Sequence, residues 1–307
     1  MGRVVVCGNV VFDILAHPVE EVRWQATTLI ESVSQQPGGN AGSTSCALGI
    51  LGTPVSIVTL AGRDAAGEAV MDRLRSVGVD LSLVQYVEAP TSIAISLIRP
   101  TGERALLYQL AAAAEDFQPF RFPPDAGHFH LAAVYRMRHL REIAPALLRR
   151  AKEAGLKTSL DTQWDTEGEW MKVLKPSLPY TDYTLMNEDE AGMLTGRTEP
   201  DAAARVLRGL GASHVVIKLG PRGCWADGET FPGFDVNAVD TTGAGDCFAG
   251  GFIAALERGF SIADASRFAN AVGALAVQKI GATAGVLDWN ATMRWMPRES
   301  PTPGPSA

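Results

Sequence analysis

Short apolar runs alternate with helical segments along almost the whole chain, and most changes are marked by glycine or proline. RVVVCG reads as a buried strand; PVSIVTLAG, HFHLAAVY, KTSLD, TDYTLM and SHVVIKLG read as further strands. Between them NAGSTSCALGILG, AGEAVMDRLRSVG, LREIAPALLRRAKEAG, NEDEAGMLTG and PDAAARVLRGLG carry helical signals, several closed by glycine. This order predicts an α/β fold: a mainly parallel sheet with crossover helices. Two long helical stretches, Ala244–Glu257 and Ile262–Lys279, close the domain. The 307 residues suffice for one large α/β domain, and no repeat or linker divides them, so residues 1–296 are read as one domain. The Pro- and Ser-rich end, PRESPTPGPSA, predicts a disordered tail over 297–307.

Between Thr91 and Leu110 the period changes. TSIAISLIR and ERALLYQL are β-type runs joined by PTG, with Pro100 and Gly102 where a turn wants them. With FDILAHPV they predict a small sheet, built from about 12–30 and 91–110, projecting from the main domain. It is either a pair of edge strands or a lid over a site.

Several function classes are excluded early. Charged residues make up 20% and the net charge is −7, which argues against a nucleic-acid groove or an anionic membrane surface. No apolar run approaches the ~20 residues that cross a bilayer. Asp13 interrupts the apolar start and no small-residue cleavage pattern follows, so a strand fits better than a signal peptide. Cys7, Cys46, Cys224 and Cys247 show no metal or redox spacing, which predicts reduced, mostly buried thiols in a cytoplasmic protein. Cys247 beside Asp246 reads as a packing residue before a reactive thiol. There is no GxxxxGK[ST], no GxGxxG after a strand, and no HRD or DFG set. His128 and His130 lack a third ligand at sensible spacing and read as ordinary strand residues.

The stretch VDTTGAGDCFAGGF concentrates small residues around one acid at the mouth of a helix. Gly243 and Gly245 allow close approach to free amides at a helix N-terminus, where phosphate oxygens bind. Asp246 would repel a phosphate, but it suits the attacking hydroxyl: phosphoryl transfer needs a base there and donors around the moving charge. The competing reading is a glycine turn with Asp246 merely favouring the helix start.

Four ordered segments resemble the PfkB/ribokinase family of carbohydrate and nucleoside kinases over nearly the whole chain. VDTTGAGDCFAGGF is similar to the C-terminal signature, and PGGNAGSTSCALGILG with AGRDAAG to the N-terminal one. MNEDEAGMLTG is similar to the Asn-Glu-x-x-Glu segment, and VVIKLGPRGC to the nucleotide-side strand and turn. The resemblance implies a ribokinase-like three-layer α/β/α sandwich with a small β-sheet lid, ATP as donor, and Mg²⁺. It implies Asp246 as general base and Gly243, Ala244 and Gly245 as an anion hole. Asn187 and Glu190 would organise Mg²⁺, its waters and the phosphates, and also read as a helix cap with its partner three residues on. Lys218, Gly220, Gly223 and Asn270 would hold the nucleotide. Asp240, Thr242 and Gly281 resemble a monovalent-cation loop, which implies K⁺ activation.

On the acceptor side the resemblance implies Asp13, Gly39 and Asn40 as hydroxyl-gripping positions, with Asp13 as a strand-end residue the alternative. Ser43 stands where many members carry asparagine, and SLDTQWD puts Gln163 and Asp165 in place of an asparagine and an arginine. Losing that cation argues for a neutral acceptor. The expected activity is ATP-dependent phosphorylation of a primary hydroxyl of a neutral sugar. A nucleoside kinase, with Phe12, Trp164 or Tyr135 clamping the base, is the alternative, and a silent sugar- or nucleotide-binding protein is a third reading. The lid also allows a homodimer.

Overall fold

The structure, a computed structural model, describes residues 1–101 and 103–296. Gly102 of the expected turn and the expected 297–307 tail lie outside the described residues. The strands are, in chain order, β1 (Arg3–Gly8), β2 (Val11–His17), β3 (Ser32–Gly38), β4 (Val55–Gly62), β5 (Val84–Val87), β6 (Ile93–Ile98) and β7 (Arg104–Gln109). β8 (Ala126–Ala132), β9 (Lys157–Asp161), β10 (Tyr183–Asn187), β11 (His214–Lys218), β12 (Cys224–Ala226) and β13 (Glu229–Phe231) follow. Among the described residues nine strands form one sheet, in the order β13-β12-β11-β10-β9-β8-β1-β4-β5. Every neighbouring pair from β11 to β5 is parallel, and only β12 and β13 run antiparallel at one edge.

The sheet is covered on both faces. Successive side chains of a strand point to opposite sides, so Val4 and Val6 enter one core while Val5 and Cys7 enter the other. The first core takes helices Asn40–Ile50, Ala65–Ser76, Ala244–Glu257 and Ile262–Ala276; the second takes Arg138–Glu153, Glu188–Thr195 and Pro200–Gly209. The result is a three-layer α/β/α sandwich, as the resemblance implies, with a smaller second sheet ordered β3-β2-β6-β7. In that sheet β6 and β7 form the expected hairpin, and β2 lies parallel to β6.

Four strands and two α-helices, the short Met171–Leu174 among them, were not anticipated. β3 is a polar run containing Pro37, which a strand tolerates only at an edge, and β3 is an edge. β5, β12 and β13 span four residues or fewer and carry no period to read. A last helix forms at Trp289–Trp295, and the preceding helix stops at Ala276 instead of Lys279.

Chain order decides where a ligand can enter. From β1 the chain moves outward to β4 and β5, then returns across β1 to β8 and continues away through β9, β10 and β11. The carboxyl ends of β1 and β8 therefore flank a topological switch point, where open α/β sheets form a crevice.

Candidate active site

The expected site residues gather at the carboxyl ends of the parallel strands. Asp161 ends β9, Asn187 ends β10 and Lys218 ends β11. Asp246 arrives from the first turn of the Ala244–Glu257 helix, which packs closely on the Asn40–Ile50 helix. A Cβ at Gly250 would lie 2.8 Å from Ala47 Cβ, so the approach requires the missing side chain. This contact lines up the two helix starts, and Asn40 Nδ2 donates to Asp246 Oδ1 at 3.0 Å. The Thr44 hydroxyl donates to the Asp246 carbonyl at 3.3 Å.

Burial pushes the Asp246 carboxyl up to about 7, helped by the nearby Asp161 and Glu190 charges and opposed by Asn40 and Lys218. Gly243 caps the helix with φ 71°. Among the described residues no acceptor takes the N–H of Gly245 or Asp246, whereas Ala244 N–H turns back to Thr241 O at 3.3 Å. Gly243 N–H is equally without an acceptor, so of the expected Gly243, Ala244 and Gly245 amides only that of Ala244 is engaged.

Lys218 adds a cation that the sequence left among nucleotide contacts. Its Nζ donates to Asp161 Oδ1 and Oδ2 at 2.7 and 2.8 Å, and a Cβ at Gly245 would lie 3.2 Å from it. Burial works against its charge, but the Asp161 and Glu190 carboxylates outweigh that and raise its pKa. Asp161 was not anticipated as a site residue, although it ends KTSLD and heads the SLDTQWD stretch compared with the family pattern. Glu190 is buried, accepts from Thr162 Oγ1 at 2.8 Å, and has its pKa raised by that burial. Asn187 and Glu190 form a reciprocal capping box: Glu190 N–H donates to Asn187 Oδ1 at 2.8 Å and Asn187 N–H to Glu190 Oε2 at 3.0 Å. The cap reading holds, and it leaves the pair beside Lys218.

A cavity of about 460 Å³ opens on the other side of Lys218, lined by Gly220, Gly223, Phe234, Gly245, Phe248 and Asn270 among others. Asn270 is a buried residue, not a solvated one: its Nδ2 donates to Phe231 O and Pro232 O at 3.0 and 3.1 Å, pinning the wall of this cavity. Asp240 ties the loop before the helix to the next segment. Its carboxylate accepts from Thr242 N–H and from Gly281 N–H, both at 2.9 Å. The structure thus brings Asp240, Thr242 and Gly281 together.

The acceptor-side residues divide. Asp13 lies on β2 opposite Gln36, beside Gly38, and Gly39 and Asn40 open the helix below it. Asn9, also unanticipated, is buried after β1: its Oδ1 accepts from Asn40 N–H at 3.2 Å and its Nδ2 donates to Tyr108 Oη at 2.9 Å. Ser43 is buried within its helix. Gln163 is buried too, with both amide atoms unpartnered.

Asp165 departs from its expected role as a substrate contact. Its carboxylate accepts from Arg141 Nη1 at 2.9 Å, Glu167 N–H at 3.1 Å and Trp170 N–H at 2.7 Å, so it is spent on its own loop and on the Arg138–Glu153 helix. Arg141 supplies the cation missing from the sequence pattern, but Glu169 and Glu167 hold it as well. Tyr135 is buried and gives its hydroxyl to Trp170 O, which leaves Trp164, half exposed, and Phe12 as aromatic surfaces.

The residues read as structural are so. His128 and His130 are fully buried and share Ser159 Oγ at 2.7 Å each, and burial lowers both pKa values. Among the described residues no cluster of three or more His, Cys, Asp or Glu is arranged to hold a metal. All four cysteines are free and buried, and burial lifts the Cys247 thiol well above its usual range. No described helix is long and apolar enough to cross a membrane.

A profile of pfkB family carbohydrate kinases matches residues 1–289. The chain is 31% identical over 296 residues to ATP-dependent ribose-1-phosphate kinase of Halopiger xanaduensis, covering 92% of this chain and 94% of that one. It is 28% identical over 271 residues to 2-dehydro-3-deoxygluconokinase of Bacillus subtilis, covering 82% and 84%. Ribokinase from Arabidopsis thaliana, solved with ribose and ATP, shares the fold at TM-score 0.82 and 24% identity, over 95% of this chain and 98% of that one. The PfkB protein of Polaromonas sp. JS666 gives 0.76 at 25% identity, over 92% and 98%. A profile match over nearly the whole described chain, on this sandwich, means that the protein belongs to the PfkB/ribokinase family of carbohydrate kinases.

Proposed function

We propose that the protein transfers the γ-phosphoryl group of ATP to a primary hydroxyl of a small sugar, with Asp246 as the base. The observation that carries this reading is the Asp246 carboxyl, raised to about 7, at a helix start with unspent amides and with Lys218 beside it. The acceptor hydroxyl gives its proton to Asp246 and its oxygen bonds to the γ-phosphorus. The bond from that phosphorus to the bridging oxygen breaks, and ADP leaves. In this reading the Gly245 and Asp246 amides and Lys218 are the donors that meet negative charge on the moving group. Asn40 orients the base through its hydrogen bond.

The glycine-walled cavity beyond Lys218, one wall of it held by Asn270, is the candidate for the nucleotide donor. Mg²⁺ fits as a phosphate- and water-held ion, because the buried Glu190 and its capping partner Asn187 offer few oxygens and no cage. When bound, it neutralises charge on the phosphates. The loop ordered by Asp240 is the candidate for K⁺.

On the acceptor side Asp13, Gly39 and Asn40 form the polyol grip. The relatives named above act by name on ribose 1-phosphate and on 2-dehydro-3-deoxygluconate, so family membership leaves the acceptor open. The nucleoside reading draws on Trp164, which stands half exposed, edge-on to Trp170 at 5.0 Å, and could stack on a base. The test is ADP release with Mg²⁺-ATP across sugars, sugar acids, sugar phosphates and nucleosides. One acceptor class should stimulate release and Asp246→Asn should abolish it. Ligand binding without release in any class would favour the silent binding protein.

A further inference from the structure

The crevice at the switch point has a second charged wall that the phosphoryl chemistry does not use. β8 ends at Ala132, and the next residue, Ala133, is buried with φ 95°, a conformation unfavourable for a residue with a side chain. The turn closes through Arg136 N–H to Ala133 O at 3.1 Å. The Arg136 guanidinium lies 4.9 Å from the centre of the Tyr108 ring, on the small sheet. Tyr108 Oη receives Asn9 Nδ2, Asn9 Oδ1 receives Asn40 N–H, and Asn40 Nδ2 reaches Asp246. One chain of contacts therefore runs from the base, along the acceptor side, to a cation at the far end.

That cation is uncommitted. Arg141, five residues on, is held by Asp165, Glu167 and Glu169, whereas among the described residues no carboxylate pairs with Arg136. A partly buried arginine without an acid, stacked on an aromatic ring, is a preformed fork for a planar or tetrahedral anion. An independent observation comes from the neighbouring strand. Ala132 pairs with Asp161, and two residues past Asp161 the Gln163 side chain is 6% exposed with neither amide atom satisfied. A buried primary amide without partners keeps its donors and acceptor unsatisfied until a ligand meets them.

We infer that the acceptor is an anionic sugar, whose carboxylate or phosphate is gripped by Arg136 while a hydroxyl at its other end faces Asp246, with Gln163 binding polar oxygens between. This rests on the kinase reading and replaces the neutral acceptor expected from the missing cation at Asp165.

The test measures binding and turnover separately. Calorimetric titrations and steady-state assays compare gluconate, ribose 1-phosphate and fructose 6-phosphate with glucose, ribose and fructose. An anionic member should exceed its neutral parent by about 30-fold or more in kcat/KM. Arg136→Gln should raise its KM by a similar factor with kcat and the KM for ATP nearly held, and Arg136→Lys should recover part of the loss. Gluconate against the two phosphates tells carboxylate from phosphate. Neutral sugars turned over as well as their anionic counterparts, or Arg136→Gln leaving every KM in place, would overturn the inference. Anion binding that depends on Arg136 without turnover in any class would keep this inference and sink the kinase reading instead.

Discussion

In the proposed mechanism Asp246 carries most of the chemistry, and its environment fixes how activity should respond to pH. On that proposal the carboxylate form is the base. With the group raised to about 7 in the free protein, kcat/KM should climb as pH rises through 7 and level off above it. Asp246→Asn should lower kcat by roughly 10²–10⁴-fold and erase that limb, read from initial rates between pH 5 and 9. Stability carries the opposite sign. Because the folded protein holds this proton up to about 7 while the unfolded chain releases it near 4, the group weakens the fold as pH rises across that interval. Denaturant titrations of the asparagine variant should show a flatter pH dependence.

Among the elements, the Asn187–Glu190 box separates structure from catalysis. Asn187→Ala removes a cap and should cost about 1 kcal/mol, a Tm loss of ~2 °C by calorimetry. Asn187→Ser keeps a capping oxygen and most of that stability, yet loses the amide that the proposed mechanism sets toward the phosphates. A fall in kcat for both variants, with Tm lost only in the first, assigns Asn187 its second role. The turn after β11 offers a similar contrast. Gly223, at φ 94°, faces the Phe231 carbonyl, so Gly223→Ala should destabilise the protein by about 1–3 kcal/mol. Gly220, at φ 60°, faces open space, so Gly220→Ala should cost about 1 kcal/mol and mainly raise the KM for ATP.

Elements with a period or a cap were legible in the sequence. The Ala244–Glu257 helix, the six longer parallel strands and the 93–109 hairpin follow the expected spans closely. The polar edge strand β3 and the short β5, β12 and β13 were not, since sheet membership at that length is decided by the neighbour.

For the whole molecule, the small sheet lies over the crevice through Asn9–Tyr108, which suits a lid that excludes water during transfer. Its edge strands β3 and β7 expose Val33, Leu106 and Leu107, each more than half accessible. Such edges invite pairing with a second copy. Light scattering after size exclusion should give a dimer mass, and Leu106→Asp with Leu107→Lys should return a monomer; a wild-type monomer at micromolar concentration would remove the lid dimer.

The sequence alone determined what depends on neighbours in the chain: the alternation that forces a parallel sandwich, the glycine-flanked start at Asp246, the cap at Asn187, and the family they resemble. Tertiary structure decided the rest. Asn40 meets Asp246 across 206 positions, Lys218 finds Asp161 across 57, and Arg141 takes the acid at Asp165, leaving Arg136 as the arginine at the crevice. Backbone chemistry is local and is written in residue order. Which charges neutralise one another depends on distances that exist only after the strands are ordered in the sheet.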